Sequence, residues 1–138
     1  MVGVYGLIYM DVVSRAHESY TEAEKYMAWN EHPDYKKKFF EEKFMIDKSK
    51  LDDQLSSQKL SEEDYRSKLD ALEFDRDYSL GESSLKYAYQ WYKDTYELFS
   101  PPESKWVKLA REKAPRSLEL WKAELRLQKI PFEDYMFE

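Results

Sequence analysis

Apolar side chains recur along this chain at intervals of three and four residues, the spacing that predicts amphipathic α-helices. The first stripe predicts a helix from Val4 to Trp29. Its members are Tyr5, Tyr9, Val12, Ala16, Ser19, Ala23 and Tyr26, widened by Ile8, Val13, Tyr20 and Met27. Because a proline disfavours helical geometry in the residue before it, Pro33 predicts that this helix ends before His32.

A second helix is predicted from Pro33 or Asp34 to about Ser57. One of its faces carries Phe40, Phe44, Leu51 and Leu55. Apolar residues between Phe39 and Ile46 cover more than half of its circumference. We therefore expect this part of the helix to contact two neighbours.

Residues 61–99 carry a helical pattern that weakens in the middle. Ser61 and the three acidic residues after it are typical of a helix start, because the hydroxyl accepts from a free amide and the carboxylates match the helix dipole. The pattern weakens near Gly81 and resumes at Leu85. The segment forms either one helix of about 58 Å at 1.5 Å per residue or two helices, and we favour a break near Gly81.

The Ser-Pro-Pro-Glu motif at residues 100–103 is the clearest boundary in the chain. Ser100 fits an N-cap, Pro101 a first helical residue and Glu103 the reciprocal capping-box partner. Pro115 predicts the start of another helix, and residues 132–138 an aromatic, acidic tail. We expect one all-α domain over residues 1–138, an antiparallel helical bundle of four longer helical segments plus one or two short C-terminal helices.

The composition excludes several functional classes. The chain has 138 residues and no cysteine, which excludes disulfides, thiolate metal sites and cysteine nucleophiles. Three glycines are too few for a phosphate-binding loop. Aromatic residues make up 17% of the chain, which favours a folded domain over disorder. No apolar run reaches the roughly 18 residues that cross a bilayer, so we expect a soluble, cytoplasmic protein.

Charge argues against a nucleic-acid partner, because the formal net charge is -6 and affinity for nucleic acids comes largely from basic side chains. Residues 1–34, 35–60, 61–99 and 100–138 carry net charges of -4, +2, -5 and +1. This alternation is compatible with antiparallel helices that pack side by side. The acidic helices also suggest an alternative function, mimicry of a polyanion that blocks a basic surface.

Metal and catalytic sites have weak support in the sequence. A di-metal helical bundle uses Glu-x-x-His pairs, whereas Ser14 and Trp29 stand three residues before His17 and His32. We therefore predict no metal site, no cofactor and no catalytic residue. Arg76 follows the inward face of its helix between Asp75 and Asp77, which predicts a buried ion pair or an anion site.

The densest aromatic segment predicts a partner-binding face. Successive residues of a helix point about 100° apart, so the rings of residues 87–99 cannot all face one core. Tyrosine and tryptophan are enriched at interface anchors. The predicted face consists of Tyr89, Trp91, Tyr92 and Tyr96.

We therefore expect a non-enzymatic interaction module, an accessory, regulatory or inhibitory subunit that binds a protein partner or a second copy of itself. The main alternative is a ligand-binding or enzymatic bundle whose inter-helix pocket is lined by tyrosine and tryptophan, with Arg76 or Asp47 as its polar group.

Overall fold

The computed structural model describes residues 2–138, and the secondary structure within that range is helical throughout. Five α-helices and a short 3₁₀ helix follow one another along the chain: α1 Val2–Glu31, α2 Pro33–Ser56, α3 Glu62–Gly81, α4 Ser84–Leu98, α5 Lys105–Leu127 and the 3₁₀ helix Asp134–Phe137. The predicted all-α helical bundle is confirmed.

Local chemistry sets most of the helix ends where the sequence predicts them. The Ser61 hydroxyl accepts from the Asp64 amide at 3.1 Å and starts α3. The predicted break near Gly81 is confirmed, because α3 ends at that residue. The next helix starts anew, with the Ser83 hydroxyl accepting from the Lys86 amide at 3.2 Å.

The predicted start of the helix that follows the Ser-Pro-Pro-Glu motif is wrong by four residues. Ser104, not Ser100, is the N-cap, and α5 begins at Lys105. Pro101 precedes another proline, which disfavours the helical geometry that a first helical residue needs. The two side chains of the motif bond to each other instead, because the Ser100 hydroxyl donates to the Glu103 carboxylate at 2.8 Å.

Pro115 does not start a new helix but lies inside α5. A proline in a helix interior removes one backbone hydrogen bond and destabilises the helix by about 3 kcal/mol. Residues on both sides of it share a buried face, which holds the helix continuous. That face carries Val107, Ala110, Ala114 and Ser117. Tertiary packing therefore outweighs the local signal.

The chain divides into two compact units. The first, here called the core unit, combines the described part of Met1–Asn30 with Ser83–Glu138, and the second, the hairpin unit, is Glu31–Glu82. The core unit contains most of α1 together with α4 and α5, and the hairpin unit contains α2 and α3. The single domain expected from the sequence stays a prediction.

The core unit has a continuous apolar interior. Small side chains of α1, α4 and α5 bring the three helices close together, and aromatic rings fill the remaining space. The buried cluster consists of Tyr20, Ala23, Ala88, Tyr89, Tyr92, Ala110, Ala114 and Phe137. Phe137 belongs to the C-terminal segment, and its ring lies edge-on to Trp121 with centroids 4.8 Å apart. The predicted tail is therefore part of the core.

The hairpin unit is held by few buried contacts. α2 packs along α3. Among the described residues of the hairpin unit, Leu51 of α2 is the one buried apolar residue. The Tyr65 hydroxyl donates to the Asp52 carboxylate at 2.6 Å near the turn. At the other end, the Lys36 ammonium donates to the backbone oxygen of Glu82 at 2.6 Å. Polar contacts thus join the two helices at both ends of the hairpin.

Candidate functional site

An open cleft of about 670 Å³ lies on the surface of the core unit, where α1 faces α4. We call it the Trp91 cleft, after the largest side chain in it. Its lining residues are Arg15, His17, Glu18, Ser19, Thr21, Glu22, Trp91 and Phe99. The volume falls within the roughly 300–1,000 Å³ of typical ligand pockets, so the cleft has room for several side chains or for a small molecule.

The floor of the cleft is fixed by a buried hydroxyl network. The Ser19 hydroxyl donates to the backbone oxygen of Trp91 at 3.1 Å. The Thr95 hydroxyl lies 2.7 Å from both the Ser19 oxygen and the same carbonyl. Ser19 and Thr95 are buried, and buried hydroxyls are stable only when hydrogen-bonded. These contacts hold α1 against α4 and make the floor rigid.

Charged and aromatic side chains form the rim of the cleft. The His17 ring stacks on the Trp106 ring with centroids 4.1 Å apart. Arg15 forms an ion pair with Asp11 at 3.0 Å, and both side chains are more than 60% exposed. Glu22 is paired with Lys25 at 2.7 Å. The rim therefore carries charges of both signs, and Arg15 and Glu22 are each paired with a neighbour on α1.

The N-terminal part of α1 extends the same helix with a surface of a different kind. We call Gly3–Met10 the apolar run, because it contains no charged residue. Its six large side chains are 53–73% exposed. They are Val4, Tyr5, Leu7, Ile8, Tyr9 and Met10. A helix that is apolar on all sides is normally buried, so this run is an unusual surface for a monomer.

One face of α1 links the apolar run to the cleft. Residues spaced alternately by four and three positions share a face of a helix. The series Val4, Ile8, Asp11, Arg15, Glu18 and Glu22 has this spacing, and we call it the α1 seam. Its last three members line the Trp91 cleft. The two apolar members and the four charged members of the seam therefore follow one another on a single face.

The structure gives the four residues of the predicted aromatic face different environments. Tyr89 and Tyr92 are buried in the core, and the Tyr89 hydroxyl donates to the backbone oxygen of Phe137 at 3.0 Å. Tyr96 is half-buried, with the Arg111 guanidinium 5.0 Å from its ring centroid. Trp91 alone lines the cleft. The four side chains thus do not form one surface, and their role in partner binding stays a prediction.

A second polar network crosses the core unit between α1 and α5. Lys113 donates to the Tyr20 hydroxyl at 2.7 Å and to the Glu24 carboxylate. Burial would raise the pKa of Glu24, but hydrogen bonds from Lys113 and Tyr20 outweigh it and lower that pKa. Burial would likewise lower the pKa of Lys113, and its bonds to Glu24 and Tyr20 raise it instead. This arrangement stabilises the charged pair and links α1 to α5.

The predicted ion pair or anion site lies in the hairpin unit. Arg76 bonds to the Asp77 carboxylate at 3.1 Å, and its guanidinium lies 4.4 Å from the ring centroid of Phe44. A cavity of about 80 Å³ beside Arg76 is lined in part by Lys43, Asp47 and Asp75. Three carboxylates in this region face two cations, which favours ion pairing over binding of an anion. The pair is not buried as predicted, because the Asp77 side chain is 67% exposed.

Sequence reasoning included Tyr5, Ile8 and Tyr9 in the buried stripe of the first helix, and this was wrong because all three are exposed. Arg15 and Phe99 line the cleft, but neither is among the predicted site residues. The signal that could have revealed the exposed part of α1 was the lack of charge from Val2 to Met10. An amphipathic helix carries polar residues on its outer face, and this segment has none that is charged.

Within residues 2–138 no group of histidine and acidic side chains is arranged to hold a metal ion, and no described helix combines the length and apolarity that spanning a membrane requires. Comparison with known proteins gives no match to a family model, a curated protein or a solved structure.

Proposed function

We propose that this protein is a non-enzymatic interaction module that binds a protein surface through the apolar run of α1. The observation that carries the proposal is the exposure of six large, uncharged side chains over Gly3–Met10. Two of the six are tyrosines, each of roughly 150–250 Å², and all six are more than half exposed, so together they present on the order of 600 Å². The largest apolar patch of a typical monomer is about 300–600 Å² and is often functional.

The fold supports this role because the run continues a helix that is anchored in the core unit. α1 is continuous from Val2 to Glu31, and its second half is anchored by Ala16, Ser19 and Ala23, which are all buried. A preformed helix loses little conformational entropy when it binds, so more of the interaction energy appears as affinity. The run is therefore ready to dock without folding first.

The test compares two double variants of the full chain. Leu7→Gln with Met10→Gln removes apolar surface from the run, and Leu98→Gln with Leu127→Gln removes a similar surface elsewhere. All four residues are at least 67% exposed. We expect the first pair to weaken complex formation at least tenfold and the second to leave it unchanged. Complexes are measured by light scattering and by quantitative pull-down from the host.

The proposal is overturned if the wild-type chain stays monomeric and captures no host protein more strongly than the Leu7→Gln, Met10→Gln variant does. Circular dichroism serves as the folding control for both variants. Glutamine is a good helix former, so we expect the helical signal to be retained.

The Trp91 cleft supports a second candidate, binding of a small ligand. An indole floor and a volume of about 670 Å³ favour an apolar or aromatic molecule. The test is a thermal-shift screen of metabolites on the wild-type chain and on a Trp91→Ala variant. A compound that raises the melting temperature of the first but not of the second supports it, and a screen without such a compound contradicts it.

A further inference from the structure

We infer that the partner of the apolar run is a second copy of this chain, docked antiparallel so that the run of each copy covers the Trp91 cleft of the other. This inference rests on the proposed function, because it uses the same surface and names its partner. Three features of α1 carry it: charges at the centre of the seam that complement themselves, a match in length between run and cleft, and the area available.

The α1 seam has the spacing that paired helices use. Alternating steps of four and three residues keep one face turned toward a neighbouring helix over several turns. Helices that pack in this way cross at about 20°, so they stay in contact over their whole length. The six seam residues from Val4 to Glu22 extend over about 27 Å at 1.5 Å per residue, which is long enough for a stable helix pair.

The charges of the seam complement themselves under a twofold axis. Asp11 and Arg15 are adjacent on the seam and strongly exposed. An antiparallel pair with its axis beside Val13 places Asp11 of each copy opposite Arg15 of the other. The four groups then alternate in sign around the axis. A parallel pair would instead place like charges opposite each other, which destabilises helix pairs.

The same register matches the apolar run to the cleft. With Asp11 opposite Arg15, Ile8 lies opposite Glu18 of the second copy and Val4 opposite Glu22. Both glutamates are at the cleft, where Trp91 supplies the apolar floor. Run and cleft each extend over eight residues of α1, about 12 Å. The carboxylate of Glu22 is held by Lys25 at 2.7 Å, which leaves its methylene groups for contact.

The area is sufficient for a dimer at the weak end of the stable range. Val4, Tyr5, Leu7 and Ile8 lie on or beside the seam, and each is more than half exposed. A twofold axis makes every contact occur twice. The total buried surface is then on the order of 1,000 Å², close to the lower limit for a specific interface. We therefore expect a dimer that dissociates on dilution.

The first experiment uses sedimentation of the full chain with reversed charges. Asp11→Arg and Arg15→Asp each place like charges across the axis, so we expect each single variant to dimerise about tenfold more weakly than the wild type. Mixed together, the two variants regain opposite charges at every contact. We therefore expect the mixture to dimerise about as tightly as the wild type, as a heterodimer.

The matched control is Glu41→Arg, which changes the net charge as Asp11→Arg does. Glu41 has an equivalent exposed ion pair on α2, with Lys37 at 4.0 Å. We expect this variant to dimerise like the wild type. A mixture of the Asp11 and Arg15 variants that associates no better than either alone would overturn the antiparallel register.

The second experiment traps the register with engineered cysteines. The chain has no native cysteine, so any disulfide must form between introduced residues. Ile8→Cys mixed with Glu18→Cys should give a cross-linked heterodimer under mild oxidation. If the Ile8→Cys homodimer formed more readily than this heterodimer, the result would indicate a parallel pair and contradict the inference.

The two proposals fail in different ways. In one outcome the wild-type chain is monomeric up to millimolar concentration but binds a host partner, and the Leu7→Gln, Met10→Gln variant does not bind that partner. This result overturns the second-copy inference and leaves the interaction module in place. A chain that neither dimerises nor binds a partner through the run overturns both.

Discussion

The core unit and the hairpin unit are both helical, but only the core unit has a substantial interior. Tyr92, Val107 and Thr95 of the core unit are less than 2% exposed. In the hairpin unit α3 has no buried residue, and α2 has two, Leu51 and Lys36. Helical periodicity therefore predicts where helices form but does not predict how much surface they bury.

This difference predicts unequal stability within one chain. Burial of apolar surface contributes about 25 cal/mol per Å², and most helical stability in proteins comes from packing of an apolar face rather than from helix propensity. The hairpin unit relies more on polar contacts such as Tyr65 with Asp52. Regions with few buried contacts open locally at low free energy, so we expect the hairpin amides to exchange faster than those of α4 and α5.

The largest expected effect comes from removing the central ring of the core unit. Tyr92→Ala should lower the free energy of unfolding by about 3–5 kcal/mol, because it leaves a cavity where a fully buried aromatic side chain stood. Denaturant unfolding followed by tryptophan fluorescence measures this effect. All four tryptophans lie in the core unit, so the signal reports on that unit alone.

The matched variant in the hairpin unit is Leu51→Ala. It removes the one apolar side chain that is buried among the described residues of that unit, and we expect a loss of about 2 kcal/mol, at the low end for leucine in a core. Hydrogen exchange of peptides from residues 31–82 measures it. If Tyr92→Ala in the core unit and Leu51→Ala in the hairpin unit lowered the free energy of unfolding by equal amounts, the result would contradict the difference in burial between the two units.

Sequence reasoning succeeded where local chemistry decides the structure. The starts at Pro33 and Ser61 and the break at Gly81 each follow from a proline, a hydroxyl cap or a lapse in periodicity. It failed where contacts distant in sequence decide. Pro115 stays within α5 because its neighbours are packed, and Phe137 is buried against Trp121, sixteen positions earlier in the chain.

The candidate site was predicted only in part for the same reason. Periodicity correctly places Ala16, Ser19 and Ala23 on a buried face of α1, but it cannot tell where the covering helices end. α4 ends at Leu98, close to the cleft residue Phe99. The same stripe of α1 is consequently exposed at Tyr5 and Tyr9.

A smaller effect is expected at the polar network that links α1 to α5. Lys113→Met should lower the free energy of unfolding of the core unit by about 1 kcal/mol near neutral pH, since both Lys113 and Glu24 are more than a third exposed and solvent screens their pair. Melting temperature against pH, followed by tryptophan fluorescence, measures it, and Arg116→Met on the same helix is the control.

The pH dependence of this effect has a definite sign. The pKa of Glu24 is lowered from 4.5 by folding, so its contribution is present above pH 4.5 and is lost as the pH falls through the lowered value. The difference between wild type and Lys113→Met should therefore shrink in acid. The pKa of Lys113 is raised from 10.5, so the contribution is also lost as the pH rises above that value. If the difference in melting temperature between the wild type and Lys113→Met did not change with pH, the result would contradict a stabilising ion pair between Lys113 and Glu24.

The smallest effect is expected in the hairpin unit, at the carboxylate that joins its two helices. Hydrogen bonds from Tyr65 and Lys48 lower the pKa of Asp52 below its usual value, so its contribution is present above pH 3.8 and is lost as the pH falls. Asp52→Asn keeps an oxygen that accepts from Tyr65 but removes the charge. Because the Asp52 side chain is about half exposed and solvent screens its charge, we expect exchange of the hairpin amides to rise by no more than about fivefold, with no change in tryptophan fluorescence. A change in the fluorescence transition would mean that this polar contact also stabilises the core unit, and the distinction between the two units would then fail.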